Sequence, residues 1–316
     1  APHDTFCSRE YQDIENRRYH AEPTCCPDCG PSIWLCGADG RRLDGDGIRL
    51  AVQKMAAGSI VAIKGLGGFH LACNAFDTNA VNNLRQRKRR ERKPFALMYR
   101  DVETIRKYAY VSADEKRILE SIRKPIVLLK KIKGCAMPDE VAPDNDSLGF
   151  MLPYTPIHYL LFREQHIDTL IMTSANISDN PVIYKNEDAL SELKGIADYF
   201  LIHNRDINTR CDDSVVKVYH GREYFIRRSR GYAPFPIKFM TDLKPILGCG
   251  AEQKASFSLS RGRYIFLSQH IGDLKNYETL KHYEEQIENF KRLFKIEPEI
   301  VACDLHPDYM STDYAN

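Results

Sequence analysis

A chain of 316 residues exceeds one typical domain, so two or three are expected. Apolar residues make up 43% and charged residues 28%, as in an ordinary soluble globular protein, and no window approaches eighteen uncharged apolar residues, so no membrane span is expected. The formal net charge of +2 makes any basicity local, which points to an anionic ligand in a site rather than to coating by nucleic acid.

The N-terminus has no basic start and no apolar run, so no signal peptide is visible. Of ten cysteines, Cys7, Cys25, Cys26 and Cys29 crowd the first thirty residues and others sit inside apolar runs, which suits a reduced cytoplasmic protein with one metal site. Residues 1–40 hold most of the metal-ligand candidates and little hydrophobic periodicity, so they read as a loop-rich module that needs a metal. Cys26-Pro27-Asp28-Cys29-Gly30 has zinc-knuckle spacing: two thiolates grip one ion while N–H groups of the turn support the sulfurs. The plain alternative is a pair of reduced surface cysteines.

From Gly45 the pattern becomes α/β. Ile48, Val52 and Met55 predict a helix stopped by Gly58, and Ser59–Ile63 is a short apolar strand. Asp77 caps a helix carrying Val81 and Leu84, and Ser112 with Glu115 forms a capping box for another. Strands are expected at Pro125–Leu129, Thr169–Met172 and Tyr199–His203, with a helix over Asn186–Ile196. Val215–Tyr219 and Glu223–Arg227 flank a hairpin turn at His220–Arg222, and Gly231–Pro236 reads as a linker. Beyond it, Ala255–Leu259 and Tyr264–Leu267 predict a second hairpin around Ser260–Arg263, followed by a long helix from Tyr277 to Phe294 and a strand at Ile300–Cys303. That order matches the opening of an actin-like or RNase-H-like fold.

The segment Leu84–Phe95 is the most unusual. Arg85, Arg87, Lys88, Arg89, Arg90, Arg92 and Lys93 put seven positive charges against one negative, Glu91, in nine residues. It lies between the glycine-rich turn Lys64–His70 and the apolar run Pro94–Met98. Cations beside backbone N–H donors seat a polyanion such as a triphosphate. The competing reading is a solvated helix face.

The order Lys64-Gly65-Leu66-Gly67-Gly68-Phe69-His70-Leu71, then Lys88-x-Arg90 before Pro94-Phe95, then Thr173-Ser174-Ala175-Asn176, then Asp212-Asp213-Ser214-Val215 resembles a YrdC-like domain. The spelling is similar to the HypF-type carbamoyltransferases of nickel–iron hydrogenase maturation, from Cys7 to Asn316. The resemblance implies an α/β protein in three parts. They are a zinc-ribbon-like remnant at 1–40, a YrdC-like ATP-binding domain with a twisted mixed sheet at 45–235, and the start of an actin-like or RNase-H-like transferase domain at 243–316. It implies ATP-dependent formation of a carbamoyl adenylate from carbamoyl phosphate or carbamate. The carbamoyl group would then pass to the C-terminal cysteine of a HypE-like acceptor, in a chain that carries only part of such an enzyme.

The implied site residues follow. Lys88 and Arg90 hold phosphates, Lys64 meets the carbamoyl or α-phosphate oxygens, and all three are catalytic candidates. Gly67 and Gly68 admit the acyl group, Ser174 and Asn176 offer a hydroxyl and an amide at a strand end, and Arg227 and Arg228 complete the phosphate clamp. Each has a bland alternative as strand cap, turn residue or solvated face. Asp212 and Asp213 either bind magnesium or anchor the strand, with anchoring favoured for Asp212; His70 and His158 read as core histidines beside the pocket. Zinc is expected on Cys7, Cys26 and Cys29. The family has a fourth cysteine where this chain has Asp4, so the fourth ligand is expected to be Asp4 or His3, or to be absent from a clipped site. Glu91 replaces the family's proline. The implied cofactors are therefore ATP, Zn2+ and Mg2+. The rival readings are a threonylcarbamoyl-AMP synthase and a zinc-ribbon RNA-binding module, though near-neutral charge makes RNA an unexpected partner.

Overall fold

In a computed structural model, residues 5–164, 167–176 and 180–316 are described. After helix α1 (Thr5–Gln12), the chain forms strand β1 (Ile33–Gly37), α2 (Gly47–Ala56), β2 (Val61–Lys64), β3 (Phe69–Asn74), α3 (Thr78–Lys88) and β4 (Ala96–Tyr99). There follow α4 (Val102–Ile105), α5 (Ala113–Glu120), β5 (Ile126–Lys130), β6 (Ser147–Met151), α6 (Pro156–Arg163), β7 (Thr169–Ser174) and α7 (Asn186–Glu192). Strands β8 (Tyr199–His203), β9 (Val215–Tyr219) and β10 (Arg222–Arg227) close this part. Its ten strands make one mixed sheet in the order β1-β8-β2-β3-β7-β4-β6-β5-β9-β10.

Successive side chains of a strand point to opposite faces, and here both faces are covered. In β8, Phe200 and Ile202 join a core with Val81, Leu84 and Leu119 of α3 and α5. Leu201 between them joins a second core with Val52, Met55 and Leu161 of α2 and α6. The same alternation runs through β3 and β7. Local chemistry starts the helices where expected. Asp46, Asp77 and Ser112 cap α2, α3 and α5 through side-chain oxygens on backbone N–H groups, and the capping box of Ser112 and Glu115 is complete.

Two boundaries differ from the sequence reading. Ile33–Gly37, grouped there with the cysteine module, pairs antiparallel with β8, Ile33 opposite His203. Helix α7 stops at Glu192, four residues early, because Leu193 and Ile196 turn down into the core under β8.

The C-terminal part comprises β11 (Ile237–Cys249), β12 (Phe257–Leu267), α8 (Tyr277–Phe294), β13 (Ile300–Ala302) and α9 (Met310–Ala315), with sheet order β12-β11-β13. Tyr283, Ile287 and Phe290 of α8, spaced on one helical face, pack on Leu247, Phe257 and Leu259. The expected second hairpin is not formed. Residues 257–267 run as one strand along β11, and Gly262 pairs with Leu243 where the register shifts. At φ +56 Gly262 sits at a register shift rather than at a reversal, and pairing with the long β11 resumes on both sides of it.

Candidate functional site

The basic segment divides its charges among several tasks. Helix α3 ends at Arg89 in the left-handed region, which turns the chain back over the sheet. Arg85 points inward, donates to the carbonyls of Arg90 at 2.9 Å and Val141 at 3.1 Å, and stacks on Phe95. It therefore fixes the loop that follows. Arg87 pairs with Asp198 at 2.7 Å. Lys88 is buried; its ammonium donates to the carbonyls of Ser174 at 2.8 Å and Asn176 at 2.7 Å, and to Asn176 Oδ1 at 2.5 Å. Burial, with Arg90 and Lys93 nearby, lowers its pKa to about 7. Lys88 thus ties helix α3 to the Ser-x-Asn element and does not line the cleft beside it, as a phosphate-holding role would require.

Arg90 does line it. Its guanidinium lies 4.8 Å from the Phe95 ring centroid and donates to Thr173 Oγ1 and the Lys93 carbonyl at 2.9 Å each, and to the Pro94 carbonyl. Burial, then Arg85 and Arg227, lower its pKa to about 10, so it stays charged near neutral pH.

The cleft has a volume of about 380 Å³ at the carboxyl end of β7, where Ser174 faces His70 of β3. Its polar wall is Arg90, Lys93, Thr173, Ser174, Asp212 and Arg227, and its apolar wall includes Phe95, Leu128, Met172, Val182 and Ile226. Lys254 and His270 reach it from the C-terminal part. A carboxyl-end crevice of an α/β sheet is where such folds hold ligands.

One acidic group beneath it is neutralised. Burial alone would raise the Asp213 carboxyl. The Arg230 guanidinium at 2.6 Å and His70 Nε2 at 3.0 Å outweigh that and hold it well below the usual carboxylate range. Arg230 also donates to the carbonyls of Arg123 and Lys124 and stacks 3.5 Å from the Tyr154 ring. Behind His70, His158 is fully buried in edge contact with Tyr154, and burial lowers its pKa to about 3. Asp213 is therefore the anchor, and Asp212 is the carboxylate left facing the cleft. The sequence reading favoured the opposite assignment for Asp212.

The remaining predicted residues scatter. Lys64 is buried, donates to the His203 carbonyl at 3.2 Å, and lines a different cavity beside Asn186 and Asp206. Gly67 packs on Cys211, whose N–H it accepts at 2.9 Å; a Cβ there would stand 2.3 Å from the Cys211 carbonyl oxygen. Gly68 lines the cleft at φ +153, where a Cβ would meet Val182 at 2.6 Å. The two glycines thus serve close backbone packing. Arg228 turns away from the cleft: it donates to the carbonyls of Leu267, Tyr232 and Phe235, and so buckles the linker. Asn176 stands behind Ser174, donating to the Asn180 carbonyl. Sequence reasoning passed over Thr173, Lys93, Lys254 and His270 as site residues. Lys93 lay within the basic run, but nothing local marks Lys254.

The cysteines do meet. Cys7 on α1 and the Cys26–Cys29 knuckle bring their sulfurs within 4.8 Å of one another, Cys29 Sγ lying 3.6 Å from Cys7 and 3.8 Å from Cys26. Thiolates on one tetrahedral zinc stand about 3.8 Å apart for Zn–S bonds near 2.3 Å. The Cys26 N–H points at Cys29 Sγ, and Arg205 and Asn204 tether the knuckle to the end of β8. The donor set and spacing fit zinc. Asp4 and His3, proposed for the fourth position, lie outside the described residues.

The finger family model, described as "HypF finger", matches residues 5–36. The Sua5/YciO/YrdC model, described as "Telomere recombination", matches residues 53–229, and "HypF Kae1-like domain" matches residues 241–316. The chain belongs to the HypF family. It is 42% identical to the carbamoyltransferase HypF of Rhodobacter capsulatus over 97% of its own length and 41% of that protein. Its structure superposes on a full-length HypF crystallised in the phosphate- and nucleotide-bound form with TM-score 0.91 and 51% identity, covering 99% of this chain and 41% of that one. A putative threonylcarbamoyl-AMP synthase of Methanocaldococcus jannaschii is 39% identical over 35% of the chain and 51% of that protein. The chain spans about two-fifths of the length of the HypF relatives it matches. No helix among the described residues is long and apolar enough to cross a membrane.

Proposed function

We propose that the cleft forms a carbamoyl adenylate from ATP and carbamate, the latter derived from carbamoyl phosphate. A carbamate oxygen attacks the α-phosphorus of ATP, the bond to the β-phosphate bridge breaks, and pyrophosphate leaves with its charge met by cations. The convergence of Arg90, Lys93 and Arg227 on the hydroxyls of Thr173 and Ser174 carries this reading. Positioning and fixed positive charge are the main demands of phosphoryl-type chemistry. Arg90 is preset by Phe95 and Thr173, so little is lost in ordering it. Asp212 is the carboxylate available to a magnesium ion on the leaving pyrophosphate. Met172 and Val182 give the cleft an apolar wall on which a planar carbamate would rest. We assign zinc on Cys7, Cys26 and Cys29 a structural role, and a HypE-like C-terminal cysteine the role of final acceptor.

Pyrophosphate release from ATP, measured with carbamoyl phosphate or carbamate, tests the reading. Release that instead requires bicarbonate and threonine would assign the cleft to threonylcarbamoyl-AMP formation.

A further inference from the structure

We infer that the nucleotide cleft is a two-part site, in which Lys254 and His270 of the C-terminal part contact the polyphosphate and nucleotide occupancy clamps that part against the large sheet. The inference rests on the nucleotide reading of the cleft.

Four observations lead to it. Lys254 and His270 line the same cavity as Arg90 and Arg227, though they lie beyond the linker and outside the large sheet. They are brought side by side by short backbone bonds: Ala255 N–H to the Gly272 carbonyl at 2.7 Å and Ile271 N–H to the Ala255 carbonyl at 2.8 Å. Lys254 sits at φ +51, a conformation uncommon for a residue with a side chain. The seam itself is polar. Its bonds are His270 N–H to the Arg228 carbonyl, Arg228 to the Leu267 carbonyl, Arg210 to the Glu278 carbonyl and Asn276 to Asn180. Polar seams between parts of one chain resemble transient interfaces and permit relative motion.

Charge completes the argument. Arg90, Lys93, Arg227 and Lys254 line the cleft against Asp212 and an Asp213 already paired with Arg230. The lining is therefore net positive and demands a polyanion, and one of its cations comes from across the seam. His270 is mostly buried; burial, then Arg227, lower its pKa to about 4. As a neutral imidazole at pH 7 it gives a hydrogen bond without further repulsion between cations.

The test uses the full chain with two probes, ATP and inorganic pyrophosphate, by titration calorimetry. Lys254→Ala should weaken both about tenfold, and His270→Ala severalfold. Lys281→Ala, an exposed lysine on α8, should change neither. Arg90→Ala serves as the reference for the cleft itself. If Arg90→Ala weakens ATP while Lys254→Ala and His270→Ala leave it unchanged, the two-part site is refuted and the cleft assignment survives. If Arg90→Ala also changes nothing, both fail. A second readout needs no variant: ATP should slow amide hydrogen exchange at residues 253–256 and 268–272, and unchanged exchange there at saturating ATP would overturn the clamp.

Discussion

Replacing Lys88 by methionine keeps the buried stem and removes the ammonium. Three acceptors would be left behind: the Ser174 carbonyl, the Asn176 carbonyl and Asn176 Oδ1. Each hydrogen bond to a charged group is worth roughly 1.5–3 kcal/mol net, and a buried acceptor without a partner costs about 1–3 kcal/mol. Against this stands the desolvation of the ammonium, which already lowers its pKa to about 7. The net loss is expected at about 2–3 kcal/mol, or a fall in Tm of about 4–12 °C for a domain of this size. The pH dependence has a definite sign. Folded Lys88 releases its proton from about 7, whereas the ordinary value is 10.5, so between these the unfolded chain binds more protons. Lys88 therefore contributes stability that is present above 10.5 and lost as pH falls through about 7. Differential scanning calorimetry should find a larger Lys88→Met deficit at pH 9 than at pH 6. ATP affinity should fall less than in Arg90→Ala, because Lys88 acts by positioning Ser174. A variant as stable as the parent that has lost ATP affinity would refute the reasoning and return Lys88 to direct phosphate contact.

Asp213→Asn should remove an acid-sensitive increment of stability. The depressed carboxyl contributes above the unfolded value near 4 and loses that contribution as pH falls below it, so acid unfolding curves of the variant should be flatter there. Gly67→Ala should destabilise by about 1–3 kcal/mol, since its Cβ would overlap the Cys211 carbonyl; urea unfolding with an unchanged midpoint would contradict the packing. Lys64→Met and Arg228→Ala should leave ATP affinity within about twofold, because neither side chain lines the cleft, and calorimetry decides it. Cys26→Ser should lower zinc content per chain in elemental analysis and leave nucleotide binding intact, because none of the three cysteines lines the cleft.

Local sequence determined the elements whose causes are local. Asp77 and Ser112 set helix starts because an oxygen at that position satisfies orphan N–H groups wherever the chain goes. The α8 stripe was legible from its helical period, and the strands at β5, β7 and β8 from short continuous apolar runs, as strands buried on both faces require. The joint order of the glycine turn, Lys-x-Arg, Ser-x-Asn and Asp-Asp-Ser-Val carried the family. What tertiary structure alone decided was the direction each charge faces. Seven cations in nine residues look alike in a sequence, yet burial turned Arg85 and Lys88 inward as structural ties and left Arg90 and Lys93 to the cleft. The same holds for Asp212 and Asp213, adjacent in sequence and both at the cleft, of which only Asp213 is buried and paired with Arg230 and His70. Lys254 and His270 could not be read as part of this cleft, because their place in it depends on how a separate sheet docks across a polar seam, and no local pattern encodes that distance.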